Sequence, residues 1–200
     1  MEIETLIETF QKNLDDHSIS SQEFVKRYIT HGTPYVFDGD QEMYFEVKKV
    51  ISSHFEIEPE DVMMVGSGKL GFSLNTDQLW KPIDDESDLD MVIISDKVFD
   101  KYWRELYEFN VKLTSRTANE EKRYKKFLDY FLKGWLRPDY FPQGFMRTQE
   151  WFDFFLKTIS YKKEYGRRKI TGAVYKDRFF YEKYHMNNIE NIRLERLIKK

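Results

Sequence analysis

Apolar residues recur at helical spacing along the first part of the chain. Between positions 2 and 14 an apolar side chain returns every three or four residues, which marks one face of an α-helix. Ser20, with Glu23 three residues later, is typical of a helix start, and Asp40 can cap a further helix. The predicted helices cover residues 2–14, 21–31 and 41–54. We therefore expect residues 1–58 to form a helical N-terminal section.

Two short apolar runs predict buried strands in the middle of the chain. The run from Val62 to Val65 ends at Gly66-Ser67, and the run from Met91 to Ile94 follows two acidic residues. Between them, residues 68–86 are rich in turn formers and predict a long loop. Helices are further predicted over about 97–109, 116–133, 148–158 and 187–199, and strands over 170–175 and 179–184. This pattern predicts one α+β domain, in which residues 59–200 form a sheet-containing core with a C-terminal helix.

Composition narrows the class of protein. The 200 residues include no cysteine, which excludes disulfides and thiolate metal sites and fits a reducing compartment. The N-terminus is acidic and amphipathic rather than signal-like, and no apolar run approaches the length of a membrane span. We therefore expect a soluble cytoplasmic protein without a membrane partner.

The charge is unevenly distributed along the chain. The net charge is −3, yet residues 160–200 hold twelve Lys or Arg against five Asp or Glu. A basic section of this kind can bind a polyanion, or it can neutralise the acidic remainder of its own chain. The sequence does not distinguish these two roles. Arg167, Arg168 and Lys169 form its densest patch, a candidate surface for the phosphates of an acceptor nucleic acid. A solvated surface is the alternative for this patch.

The glycine-rich segment after the first strand resembles two phosphate-binding motifs. A P-loop anchored on Gly68-Lys69 requires a glycine at position 63 and a hydroxyl residue at position 70, where the chain has Met63 and Leu70. The dinucleotide pattern G-x-G-x-x-G matches from Gly66 to Gly71, but it requires a helix to open there, and the following residues are typical of a loop. The segment therefore belongs to another kind of site.

A pair of carboxylates begins the second strand. Residues two apart in a strand project to the same side, so Asp88 and Asp90 point together and Leu89 points away. A cation stabilises two adjacent carboxylates, and Mg²⁺ suits them because it completes its shell with water and substrate phosphates. The amides of Gly66 and Ser67, with the Ser67 hydroxyl, can hold those phosphates. Solvated acids at a strand entry are the simpler alternative.

This arrangement resembles the DNA polymerase β-like nucleotidyltransferase superfamily. The resemblance covers residues 60–96, where a strand, Gly66-Ser67, a loop and Ser87-Asp88-Leu89-Asp90 precede an apolar strand. It implies a small mixed sheet of the nucleotidyltransferase type packed against helices. It also implies transfer of a nucleotidyl group from an NTP to a hydroxyl of RNA, protein or another nucleotide.

The resemblance also implies site residues. Two Mg²⁺ ions would be held by Asp88, Asp90 and a third carboxylate on a later strand, for which Asp177 is preferred over Glu182. The residues expected at the triphosphate are Gly66, Ser67, Lys69 and Ser87. Lys69 and the third carboxylate are the weakest of these assignments, since a loop lysine is commonly solvated and neither acid lies in an apolar strand.

Two other classes of function stay open. A nucleotide-binding or scaffold protein of the same fold would lack an effective third carboxylate. A structural partner in an operon-encoded complex would use the aromatic residues and the amphipathic terminal helices. Small stand-alone members of the superfamily occur in toxin–antitoxin and phage-defence settings, which the resemblance makes an expectation for this chain.

Overall fold

A computed structural model describes residues 2–112 and 115–198. The helices are α1 Ile3–Leu14, α2 Ser21–Phe24 with a π-helical extension Val25–Thr30, α3 Gln41–Phe55, α4 Gly66–Leu70, α5 Asp96–Lys112, α6 Ala118–Leu132, α7 Met146–Phe152 with a π-helical extension Asp153–Ile159, and α8 Arg178–Ile198. The strands are β1 Val62–Val65, β2 Leu89–Ile94, β3 Trp135–Leu136 and β4 Ile170–Tyr175. The predicted α+β fold is confirmed.

The four strands form one mixed sheet in the order β1-β2-β4-β3. Strand β1 runs antiparallel to β2, β2 runs parallel to β4, and β3 runs antiparallel to β4. A parallel pair needs a long crossover, and the chain from α5 to α7 supplies it. The sheet therefore places the start of β2 beside the start of β4.

The two faces of the sheet have different surroundings. On the face that we call the core face, Leu89, Met91 and Ile93 are buried among side chains of α3, α5 and α7. On the opposite face, called the cavity face below, Val92 packs with Tyr175 and with Tyr181 of α8. Alternation along β2 thus directs Leu89 into the core and its two acidic neighbours to the cavity face.

The predicted strand over 179–184 is wrong, because these residues form the first turns of α8. The carboxylate of Asp177 caps this helix, accepting from the amides of Phe179 at 2.8 Å and Phe180 at 3.3 Å. The aromatic residues that suggested a strand instead lie on a helix, where Tyr181 is buried against the sheet. The short strand β3 takes the edge position in the sheet.

The segment between the Gly-Ser turn and the acidic pair is folded rather than an open loop. Helix α4 opens at Gly66, contrary to the expectation that loop structure follows the glycines. The chain then doubles back, with a bridge between Phe72 and Pro82. Phe72 is fully buried, with its ring 5.1 Å from that of Phe10 and 5.7 Å from that of Trp80. Residues 71–83, called the excursion below, are thus anchored to the N-terminal helices.

A buried arginine joins the two ends of the chain. The guanidinium of Arg193 in α8 donates to the carbonyl oxygens of Leu14, Asp16 and Ile19 at 2.8, 3.4 and 3.0 Å. These carbonyls belong to the end of α1 and the turn after it, and that of Asp16 also accepts from the amide of Ile19 at 3.2 Å. Within residues 2–112 and 115–198, no helix combines the length and apolar character needed to cross a membrane.

Candidate functional site

The sheet brings the Gly-Ser turn and the acidic pair together. Val65 pairs with Asp90 across β1 and β2, so Gly66 follows directly beside that carboxylate. Gly66 has φ +69°, and a Cβ placed on it would lie 2.8 Å from Asp90 Oδ2. A side chain at position 66 would therefore be strained and would also collide with the acid. Glycine is required here by both the turn and the site.

A cavity of about 870 Å³ adjoins this part of the sheet, and its lining includes residues of the cavity face together with core-face residues such as Met91 and Phe155. Gly66, Ser67, Ser87, Asp88 and Asp90 all line it, so five of the residues predicted for nucleotide and metal binding share one space. The excursion supplies one wall through Asn75 and Gln78, and α8 supplies another through Asn188 and Asn191. The sequence left two roles open for Phe72 to Ile83, an insertion in the loop or a segment lining the site, and in the structure residues of this segment, Lys81 among them, line the cavity.

Asp90 is a half-buried acid with one hydroxyl partner. Thr171 is its neighbour across the parallel pair of strands, and Thr171 Oγ1 donates to Asp90 Oδ1 at 2.7 Å. Burial raises the pKa of Asp90, and the negative charge of Asp88 raises it further. A bound cation would remove both penalties, because it replaces lost hydration and offsets the neighbouring charge.

Asp88 is neutralised by a lysine from the neighbouring strand. Lys169 Nζ lies 2.6 Å from Asp88 Oδ2, and each side chain is only about one-third exposed, at 38% and 35%. The ammonium occupies the side of Asp88 where a cation would be expected. A metal ion at Asp88 would therefore compete with Lys169 or shift it toward the phosphates of a ligand.

The donor set suits one Mg²⁺ ion rather than two. Asp88 and Asp90 offer two carboxylates on one face, and Mg²⁺ can complete its shell with water and phosphate oxygens. In the described part of the chain, no cluster of three His, Asp or Glu side chains stands close enough to hold a metal. The position opposite Asp90 is Thr171, and the strand it belongs to, β4, carries no acid.

Asp177 does not join the acidic pair. It follows the last residue of β4, whereas Asp88 precedes the first residue of β2, and these two strands are parallel. The two acids therefore lie at opposite ends of the sheet, about 20 Å apart along the strands. Glu182 lies on α8, where its carboxylate accepts from Gln22 Nε2 at 3.2 Å. The placement of Asp177 as a helix cap contradicts its predicted role as third carboxylate.

Lys69 is a structural residue rather than a triphosphate contact. It is 7% exposed, and its ammonium donates to the backbone oxygens of His31, at 2.5 Å, and Gly32. Burial lowers the pKa of Lys69 to about 8. The side chain thus ties α4 to the end of the π-helical extension of α2, and its charge is directed away from the acidic pair.

The predicted acceptor patch is mostly engaged within the chain. Arg168 donates to the carbonyl oxygens of Asp84 and Ser87 and lies 3.2 Å from Asp85 Oδ1. Lys169 is paired with Asp88, which leaves Arg167 as the exposed member of the patch. The hydroxyl of Ser87 lines the cavity, but it donates to Asp84 Oδ1 at 2.6 Å and so stabilises its own turn.

Replacement of Lys169 is expected to strengthen metal binding in the absence of nucleotide. In Lys169→Met the ammonium that competes with a metal ion for Asp88 is gone. Breaking a partly exposed ion pair costs little free energy, so removing that cost should raise the affinity for Mn²⁺ by about threefold. Electron paramagnetic resonance titration with Mn²⁺ measures the change. Lys176→Met is the matched control, because Lys176 pairs with Asp100 at 2.9 Å with similar exposure at the other end of β4. Equal gains in both variants would assign the effect to net charge alone.

Comparison with protein-family models, curated proteins and solved structures gives no match to this chain. The assignment of a function therefore depends on the geometry of the cavity and on the resemblance carried by Gly66-Ser67 and Asp88-Leu89-Asp90.

Proposed function

We propose that the cavity binds a nucleoside triphosphate with Mg²⁺ and transfers its nucleotidyl group to a hydroxyl acceptor. The observation that carries this proposal is the position of Gly66 next to the carboxylate of Asp90, with both residues lining one cavity. Residues more than twenty positions apart in sequence meet there as a phosphate-binding turn and a metal-binding pair. The type of reaction, transfer of a nucleotidyl group, is inferred from the resemblance to the nucleotidyltransferase superfamily.

The residues of the turn bind the phosphates. The amides of Gly66 and Ser67 belong to the first turn of α4 and have no acceptor within that helix. They and the Ser67 hydroxyl offer neutral donors beside the acidic pair, so the phosphates can approach without a positive side chain. Lys169 is a cationic side chain of the cavity lining, and once released from Asp88 it can contact the same phosphates.

The acidic pair holds the metal. Asp88 and Asp90 would each give one carboxylate oxygen to a single Mg²⁺, and Thr171 keeps Asp90 in place through its hydroxyl. When bound, the ion neutralises the charge that develops on the leaving pyrophosphate. The acceptor, an RNA, a protein side chain or a second nucleotide, would enter the cavity from its open side.

Nucleotide binding without transfer is the second candidate function. Thr171 occupies the position paired with Asp90, where the resemblance implies a third carboxylate, and Lys169 neutralises Asp88. Both features favour a protein that retains the nucleotide site and lacks the second metal ion. Such a protein would act as a nucleotide sensor or as a scaffold for a partner protein.

One experiment separates these functions. The protein is incubated with each α-³²P-labelled NTP, total RNA or a protein extract, and either Mg²⁺ or EDTA, and binding is measured in parallel by calorimetry. Mg²⁺-dependent label transfer that is lost in the double variant Asp88→Asn/Asp90→Asn supports the transferase. Mg²⁺-dependent binding without transfer supports the second candidate. Absence of both refutes the nucleotide site.

A further inference from the structure

Four aromatic rings meet on the cavity face, away from the acidic pair. They are Trp135 of β3, Tyr175 of β4, and Tyr184 and His185 of α8, called the ring cluster below. Trp135 stacks on Tyr175 with ring centroids 5.4 Å apart. The ring of Tyr184 lies 4.5 Å from Trp135 and 5.3 Å from His185. All four residues line the same cavity as Asp90.

Two nitrogen atoms of the ring cluster lack hydrogen-bond partners. Within the described residues, Trp135 Nε1 and His185 Nε2 are buried and unpaired. Buried polar atoms are nearly always paired, and each exception calls for a physical reason. Burial also lowers the pKa of His185 to about 4, so its ring is neutral at pH 7. The cluster therefore offers two uncharged hydrogen-bonding groups, which suit an uncharged ring rather than a phosphate.

The strand register connects the ring cluster to the acidic pair. Thr171 pairs with Asp90, and Thr171, Ala173 and Tyr175 alternate onto the cavity face. Tyr175 therefore lies about 13 Å along β4 from the level of Asp90. A ligand with a charged end at the acidic pair and a planar ring at the cluster would span this part of the cavity.

We propose that the ring cluster binds the base of the nucleotide whose phosphates lie at Asp88 and Asp90. The inference rests on the proposed function and adds a recognition subsite to it. The base accepts a hydrogen bond from Trp135 Nε1, because an indole nitrogen is only a donor. It also bonds to His185 Nε2, which donates or accepts according to the tautomer of the neutral ring.

Tyr184 is the group that the base displaces. Its half-buried ring contacts both residues that carry the unpaired nitrogens, tilted by 60° to Trp135 and edge-on to His185. A base that takes its place can stack flat on Trp135, which Tyr184 does not do. When the base replaces Tyr184, it forms hydrogen bonds with Trp135 Nε1 and His185 Nε2, which Tyr184 does not. The two nitrogens are therefore unpaired only while the base is absent.

The test uses the full chain and replaces one ring of the cluster at a time. Calorimetry with Mg²⁺ compares wild type with Trp135→Phe and with His185→Leu, using ATP, GTP, CTP, UTP, the matching nucleosides and tripolyphosphate. At least one NTP should bind more tightly than tripolyphosphate, and each variant should weaken that NTP by about tenfold. Tripolyphosphate affinity should not change. Trp103→Phe is the control, since Trp103 is 47% exposed on α5 and outside the cavity.

The possible outcomes separate this inference from the proposed function. If tripolyphosphate binds and neither variant weakens any NTP, the base subsite is wrong and the phosphate site stands. If nucleosides bind, in a manner sensitive to Trp135→Phe, and tripolyphosphate does not, the ring cluster binds bases and the proposed function is wrong. If no probe binds, both are wrong. Urea unfolding of each variant is measured in parallel, so that a loss of nucleotide affinity is assigned to the subsite only where the variant remains folded.

Discussion

Asp90→Asn is expected to weaken Mg²⁺-dependent nucleotide binding by about 100-fold while making the fold more stable at pH 7. The loss of affinity follows because an amide cannot replace a carboxylate ligand of Mg²⁺, and even the residues that merely support ligands change metal affinity by about 10- to 100-fold. The gain in stability follows because burial of the ionised acid is unfavourable. Asn retains a side-chain oxygen, which can accept from Thr171 Oγ1.

The pH dependence of that gain has a definite sign. The pKa of Asp90 in the fold is raised above its ordinary value of 3.8, first by burial and then by Asp88. Between the two pKa values the folded state binds more protons than the unfolded state, so the free energy of unfolding falls as the pH rises. Urea unfolding should therefore show Asp90→Asn to be the more stable protein at pH 7, with the advantage disappearing below about pH 3.8.

Asp100→Asn serves as the matched control for this substitution. Asp100 lies on α5 and accepts from Lys176 Nζ at 2.9 Å, at the other end of β4 from Thr171, the strand partner of Asp90. Its replacement should leave nucleotide affinity unchanged and should slightly lower stability, because a favourable pair is lost. Nucleotide affinity that survives in Asp90→Asn would remove the acidic pair from the proposed site.

The features that the sequence predicted well depend on neighbours in the chain. Strand alternation determines that Asp88 and Asp90 share a face and that Leu89 enters the core, and this is what the sheet shows. The proximity of Gly66 to Asp90 was expected from the resemblance and is visible as the pairing of Val65 with Asp90. The thirteen-residue excursion was read as a loop, because its anchor, Phe72 on Phe10, depends on a segment sixty residues earlier.

The features that could not be predicted from the sequence depend on how strands that are far apart in the chain pair with each other. Only the pairing of β2 with β4 shows that Thr171, not an acid, lies opposite Asp90, and that Asp177 is at the far end of the sheet. The two-residue strand β3, which brings Trp135 to the cavity, is too short to give a periodic signal. The sequence predicts Lys69 at the triphosphate, with a solvated side chain as the alternative, because its actual acceptors, two backbone oxygens, leave no trace in a side-chain pattern.

Gly172→Ala is expected to destabilise the fold by about 2 kcal/mol, as overpacking of a filled core commonly does. Gly172 lies on β4, and a Cβ placed there would be 2.1 Å from Phe155 Cζ. Phe155 is 1% exposed and packs against Trp151 and Phe154, with ring centroids 4.8 and 5.1 Å away, so its ring has little room to retreat. Position 172 therefore requires glycine, because the ring of Phe155 fills the space that a side chain would take on the core face.

A double-mutant cycle tests whether the contact with the Phe155 ring causes the loss of stability. Phe155→Leu shortens the colliding side chain, so Gly172→Ala should be far less costly in that background, and the two changes should be non-additive in urea unfolding. Gly39→Ala is the control for loss of glycine itself, because nothing lies within 4 Å of its Cβ position and only its φ of +84° opposes the change. Additive effects of Gly172→Ala and Phe155→Leu would show that the ring contact is not the cause. Since Thr171 precedes Gly172 on the same strand, a strand displaced by overpacking should also lose nucleotide affinity, and Phe155→Leu should restore it together with stability.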